Sequence, residues 1–352
     1  MASSVILTLF STAGPLPAST WTEKLSAIVP SLAHDLPLAT TPPTQRFLDG
    51  SPATAHRVLE LQLSTTDPLT LPQCTALTHT LSPLLTPLSL EPVLQPLGPL
   101  HKLHSASSSS TSSSSTSASA PPRLAVFDMD STLIQQEVID ELARSLDLYS
   151  SVAAITEAAM RGEEPYTDFT ASLLARVALL RGVGPSIWSH LRESVITFTP
   201  GARECVACLR SQGWNTAVLS GGFVDLATWV RDELGLDEAW ANELEVDEEG
   251  KLTGRVREGS RVVDGERKKE LMGEIGRRRG VGRDAVLAVG DGSNDLPMMG
   301  EAALGVAFCA KPKVQERAPA RINGGSLVDV LYVLGWTEAE IREVMQRQGR
   351  GE

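Results

Sequence analysis

Residues 124–132 read LAVFDMDST, four apolar residues that stop at Asp128, followed by a second carboxylate at Asp130 and a hydroxyl at Thr132. A carboxylate is ionised near neutral pH and can attack phosphorus without a base to activate it, so Asp128 has the chemistry of a phosphoryl-transfer nucleophile. Asp130, two residues on along an extended chain, is expected to project to the same side, where it can protonate a leaving alkoxide and then deprotonate the incoming water. Beyond residue 104 the chain offers only His190 as an imidazole, which leaves acid/base work to carboxylates. The same string read alone is also a strand running into an Asp-rich turn.

Two further strand ends favour the chemical reading. WNTAVLSGGF (214–223) ends on Ser220, Gly221 and Gly222, and AVLAVGDGSND (285–295) ends on Asp291, Asn294 and Asp295. Open parallel α/β sheets place their ligands at such carboxyl ends. The Ser220 hydroxyl and the Gly221 backbone N–H can donate to phosphate, and Asn294 adds an amide donor. Lys268 falls three, four and seven residues before Leu271, Met272 and Ile275, so it shares an inward helical face that Lys269 does not. Asp128, Asp130 and Asp291 would repel one another beside a phosphate, so one hard divalent cation with oxygen ligands, Mg2+ by preference, is expected.

Together, DMDST, SGGF, Lys268 and GDGSNDLPM resemble the haloacid dehalogenase-like hydrolase superfamily, and within it the phosphoserine phosphatase branch, over about residues 123–334. The resemblance implies a Rossmann-like parallel sheet with a small helical cap near 135–198. It implies metal ligation by the Asp128 side chain, the Asp130 backbone carbonyl and the Asp291 carboxylate, with Asp295 binding through water or orienting its neighbours. In the cap, Arg176 would bind a substrate carboxylate, Glu137 an ammonium, and Met160 and Phe169 would shape the pocket. Glu137 reads equally well as a solvated charge at a polar helix start. Arg176 shares a mainly apolar face with Phe169, Leu173 and Leu180, where a charge needs a partner. The implied activity is hydrolysis of O-phosphoserine to serine and phosphate, the last step of serine biosynthesis. The rivals are a phosphatase or phosphotransferase on another small phosphate such as phosphohomoserine, and an amino-acid sensor with an inactive core.

The elements that hold these residues belong to a 352-residue chain, 42% hydrophobic, with a formal net charge of −12. That charge argues against nucleic-acid and anionic-membrane partners. No segment approaches about twenty apolar residues, and the N-terminus fits neither a secretory signal nor an Arg-rich transit peptide, so a cytoplasmic location is expected. Residues 105–122, nearly all Ser, Thr and Ala before two prolines, read as a disordered linker. They divide an N-terminal unit (1–104) from the phosphatase unit (123–352). In the former, VILTLF and HRVLELQLS read as strands and WTEKLSAIVPSL as a helix, an α+β pattern compatible with an ACT-like regulatory domain that binds an amino-acid effector, or with a domain that only packs or pairs chains into a homodimer. DEEGK between apolar runs at 239–256 reads as a β-hairpin. Cys205 and Cys208 form CVAC, a redox or metal pair in one reading and small core residues of a single helix in the other.

Asp128→Asn and Asp130→Asn should both silence turnover for different reasons. The first removes the nucleophile, and the second removes a general acid/base worth about 10²- to 10⁴-fold. A phosphoenzyme trapped during turnover should map to Asp128, and a phosphorylated serine or histidine instead would refute this chemistry.

Overall fold

VILTLF shows little polar alternation because both faces of the strand it forms are covered. The computed structural model describes residues 3–50, 55–102, 121–161, 163–166 and 168–350. In its N-terminal part, β1 (Ser3–Ser11), α1 (Ala18–Asp35), β2 (Thr44–Phe47), β3 (Val58–Thr65), α2 (Leu71–Leu85) and β4 (Leu90–Pro96) form an antiparallel sheet of order β2-β3-β1-β4. This βαββαβ arrangement is the ferredoxin-like pattern. Val5, Leu7 and Leu9 of β1 pack with Trp21, Leu32 and Leu81 of the two helices. The alternate residues Ile6, Thr8 and Phe10 face the other way and are equally buried.

The polar edge strand β2 carries no apolar signal, and the Leu-rich stretch 71–97 resolves into α2 and β4. Its first proline, Pro72, sits in the first turn of α2, where a missing N–H costs nothing.

The second part begins at β5 (Leu124–Phe127). Four cap helices follow: α3 (Val138–Ser145), α4 (Tyr149–Arg161), α5 (Phe169–Ala178) and α6 (Ser186–His190). A bridge between Ile134 and Phe198 closes the neck of this insertion. The chain then runs through α7 (Ala202–Ser211), β6 (Asn215–Phe223), α8 (Val224–Leu234), β7 (Glu238–Asn242), β8 (Leu244–Val246), β9 (Leu252–Val256), α9 (Gly265–Arg279) and β10 (Val286–Gly290). It ends with α10 (Leu296–Glu301), β11 (Leu304–Phe308), α11 (Pro312–Gln315), β12 (Ala320–Ile322), α12 (Val328–Val333) and α13 (Glu338–Gly349).

The large sheet is parallel throughout, of order β12-β11-β10-β5-β6-β7. Alternate residues of its strands enter two cores: Ala125 and Phe127 on one side, Leu124 and Val126 on the other. From β5 the chain builds outward to β6 and β7, then returns to the opposite side at β10. The strand order therefore reverses beside β5, the place where such sheets bind ligands. The expected hairpin at 239–256 is narrower than anticipated. Residues 238–242 extend the large sheet as β7, and only β8 and β9 pair antiparallel.

Residues 103–120, which hold most of the expected linker, lie outside the described residues. The two units on either side of it are in close contact. Phe10, Val58 and Val93 share a core with Tyr332, Leu334 and Trp336, and the Gln95 amide donates to the Val333 carbonyl at 2.5 Å. The Lys102 backbone N–H donates to Leu334 O at 2.9 Å, while Asn323 donates to Glu91 at 2.6 Å. Glu60, 2% exposed, accepts from Arg46 at 2.6 Å and pairs with His101 Nε2 at 2.9 Å. Burial would raise its carboxyl, but these two partners hold it below the usual range. Gly335 sits against this cluster with φ of +83°, and a Cβ there would stand 2.5 Å from the His101 ring.

Arg57 forks onto the buried Asp329 across the same boundary. Removing one partner of a fully buried pair costs about 3–5 kcal/mol, and the Arg57 side chain remains a quarter exposed. Arg57→Ala should therefore cost about 2 kcal/mol, a drop of a few degrees in melting temperature. Equal melting temperatures in a calorimetric comparison would show that this contact does not hold the units together.

Candidate active site

Asp128 follows β5 immediately, and its backbone N–H donates to Val289 O at 2.9 Å, which continues the β5–β10 ladder by one residue. Asp130 keeps extended backbone angles, φ −67° and ψ 135°, and the chain turns after it, with Ser131 in the left-handed region at φ of 54°. Val138 N–H, at the start of α3, donates to Asp130 Oδ2 at 3.0 Å and holds the carboxyl in place. Asp130 Oδ1 is buried and has no hydrogen-bond partner.

A cavity of about 440 Å³ opens over the strand ends. Asp128, Asp130, Asp291, Ser220, Gly221, Gly222 and Asn294 line its floor, and Glu137, Phe169 and Arg176 line its cap side. Lys268 and Asp295 lie beneath the floor, both fully buried. The Lys268 ammonium donates to Asp128 Oδ1 at 2.5 Å and to Asp295 Oδ1 at 2.7 Å. Its helical neighbours Leu271, Met272 and Ile275 are buried with it, whereas Lys269 pairs with Glu266 on the outside. Thr132 is fully buried. Met160 falls on α4, but its side chain lies outside the described ones.

Two glycines permit close approaches that any side chain would block. A Cβ at Gly290 would fall 2.4 Å from the Asp295 carboxyl, and one at Gly221 would meet the Phe169 ring at 2.7 Å. The first lets Asp295 reach Lys268, and the second lets the cap rest on the β6 loop.

Carboxylate oxygens of Asp128, Asp291 and Asp295 lie within 4.8 Å of one another. Burial, reinforced by Asp295, pushes Asp128 up to about 7, and burial with Asp128 and Asp295 pushes Asp291 up to about 8. Asp130 is raised well above the ordinary range by burial, Glu137 and Asp128. Desolvation alone would lower Lys268, but its two carboxylate partners raise it. Such a set of oxygen donors fits a hard divalent cation. Both oxygens of Asp295 are engaged, one by Lys268 and the other by Gly292 N–H at 3.0 Å, so Asp128 and Asp291 are the carboxylates left to hold it.

On the cap side, Arg176 Nε donates to Ser172 O at 3.2 Å. Among the described residues no carboxylate lies within ion-pairing distance of it, so the protein partner expected from its apolar face is absent. Burial lowers its pKa, while Asp140, Glu137 and Asp130 act in the opposite sense. Glu137 is exposed and accepts the Ser131 hydroxyl at 2.7 Å. Lys311, also on the cavity wall, escaped the sequence reading although it follows a fourth apolar strand, β11, at the same carboxyl edge. Cys205 and Cys208 are free, fully buried thiols, with Cys208 pushed up to about 12 by burial, which agrees with core residues of α7.

The family model for haloacid dehalogenase-like hydrolases matches residues 125–300, from the first core strand through the Asp291 loop. The chain belongs to this family. A probable phosphoserine phosphatase of Schizosaccharomyces pombe is 46% identical over 231 residues, covering 65% of this chain and 76% of that protein. A solved phosphoserine phosphatase with a phospho-aspartyl intermediate analogue is 38% identical with a TM-score of 0.55, covering 60% of this chain and 99% of that one. A probable phosphoserine phosphatase from Vibrio cholerae, 27% identical, spans both units, with 98% of this chain and 89% of that chain covered at a TM-score of 0.64. In this haloacid dehalogenase-like hydrolase, β5 and β10 are each followed directly by an aspartate, Asp128 and Asp291.

The raised carboxyls bind protons in the folded state that the unfolded chain releases near pH 4. Metal-free stability should therefore fall as pH rises from about 4 to about 8. A cation competes with those protons, so the increase in melting temperature on adding Mg2+ to chelator-treated protein should be larger at pH 8 than at pH 6. An equal or smaller increase at pH 8 would contradict the assignment of this cluster.

Proposed function

We propose that this chain is a Mg2+-dependent phosphoserine phosphatase that hydrolyses O-phosphoserine to serine and phosphate. The observation that carries the proposal is that one cavity holds the Asp128 and Asp130 carboxyls on its floor and, on its cap side, the Arg176 guanidinium, which has no carboxylate partner among the described residues. The relatives named phosphoserine phosphatases support the substrate.

In this reading Mg2+, held by Asp128, Asp291 and the Asp130 backbone carbonyl, supplies positive charge that lets carboxylates and phosphate share the site. Asp128 attacks phosphorus, the ester P–O bond breaks, and the alkoxide of serine takes its proton from Asp130. The raised pKa of Asp130 suits a group that begins protonated. Water then attacks the aspartyl phosphate, Asp130 takes the water's proton, and phosphate leaves with Asp128 restored. Lys268 keeps Asp128 oriented, and Ser220, Gly221 and Asn294 donate to phosphoryl oxygens. Arg176 and Glu137 bind the carboxylate and ammonium of the amino-acid head, and Phe169 and Met160 enclose it.

The division into residues 1–104, a linker at 105–122 and a catalytic unit at 123–352 belongs to the same proposal, as do the place in serine biosynthesis, a cytoplasmic setting, an amino-acid effector and a homodimer. No helix among the described residues is long and apolar enough to cross a membrane.

Arg176→Ala should lower kcat/KM on phosphoserine about ten- to a hundredfold, the worth of a hydrogen bond to a charged group, while sparing an aryl phosphate that lacks the amino-acid head. Equal losses on both substrates would show that Arg176 supports the structure and does not read the carboxylate.

A further inference from the structure

Asn242 ends β7 outside the cavity, yet its side chain is 2% exposed and makes three hydrogen bonds. Its amide nitrogen donates to Gly221 O at 2.9 Å and Gly222 O at 3.2 Å, and its oxygen accepts from Val263 N–H at 2.8 Å. Two carbonyls on one side and one N–H on the other leave a single way to orient the amide.

The first two bonds act on the β6 loop. In a trans peptide the N–H points away from the C=O, so holding the Gly221 carbonyl toward Asn242 turns the Gly222 N–H the other way. That N–H donates to Ser220 Oγ at 2.9 Å. With its oxygen occupied as an acceptor, the Ser220 hydroxyl can direct its own proton into the cavity that it lines. The third bond acts on α9. Val263 precedes Asp264, whose side chain caps the helix by accepting from Arg267 N–H at 2.8 Å. Lys268 stands one turn further on, bonded to Asp128. Gly265 seats the same first turn so closely that a Cβ would lie 2.7 Å from Asn294 O.

We propose that Asn242 is a positioning residue that sets the Ser220–Gly222 phosphate donors and the Lys268 helix in one register, without touching substrate itself. The inference rests on the reading of Ser220, Gly221 and Lys268 as groups that hold the phosphate or the nucleophile. It assigns the amide type a reason: no carboxylate of the same shape can donate to two backbone carbonyls. The nearly isosteric change Asn242→Asp keeps the acceptor for Val263 and sets a negative oxygen against Gly221 O and Gly222 O.

The test compares wild type with Asn242→Asp in Mg2+ on phosphoserine and on an aryl phosphate, together with inhibition by inorganic phosphate and a thermal melt. The expected result is a cooperative melt, a loss in kcat/KM of about ten- to a hundredfold on both substrates, and a similar rise in the phosphate inhibition constant. A folded variant within about threefold of wild type in all three would overturn the proposal, as would a loss confined to phosphoserine. If Asn242→Asp does not fold, the uncharged Asn242→Ala is read in the same way. Failure of both to fold counts against a positioning role, because the side chain would then be holding the fold. Wild-type turnover of the aryl phosphate alone would refute the phosphoserine reading, and the Asn242 comparison would still be decided on the shared phosphoryl group.

Discussion

The Lys268 ammonium is sealed from solvent between Asp128 and Asp295, and the catalytic edge of the sheet is built around that fact. Taking an ammonium out of water costs several kcal/mol, which only well-placed anions offset. Conversely, Asp128, Asp291 and Asp295 could not crowd together without a positive charge among them. The cation must come from a helix on one side of the sheet and the carboxylates from two strand ends and a following turn, so β5, β10 and α9 must be in register before the charges are tolerable. Gly290 and Gly265 supply the close approaches this register demands. The environment of Asp128 is thus a property of the assembled sheet and not of the DMDST segment.

Much of this was legible in the sequence because parallel strands buried on both faces read as apolar runs, and polar residues that interrupt such runs mark the carboxyl ends. Lys268 was legible for a related reason. Its spacing from Leu271, Met272 and Ile275 put it on the inward stripe of α9, where a charge has to be paired. Other features carried no local signal. The Asp130 carboxyl is held by Val138 N–H, which arrives from the cap. Asn242 matters through backbone carbonyls contributed by a different strand, and no spacing rule encodes that. The TQRF segment forms an edge strand whose polar residues gave no period to read.

The N-terminal unit shows a different limit. VILTLF reads as a strand, but the composition of one strand does not say what covers its faces. The structure assigns the second face to Tyr332, Leu334 and Trp336 near the other end of the chain. A Ser-rich stretch separates the two units in sequence, and Glu60, Arg46 and His101 form a buried polar cluster against Gly335, where even a methyl group would meet the His101 ring.

That pairing of segments far apart along the chain sets an order of events during synthesis. The face of β1 that carries Phe10 leaves the ribosome about 320 residues before Tyr332, Leu334 and Trp336, which will cover it. At about 5–20 residues per second the interval is on the order of tens of seconds. Throughout it, the nascent chain presents an apolar sheet surface with no partner of its own, so chaperone occupancy and aggregation in the cell should be decided at this surface, well before the catalytic edge exists.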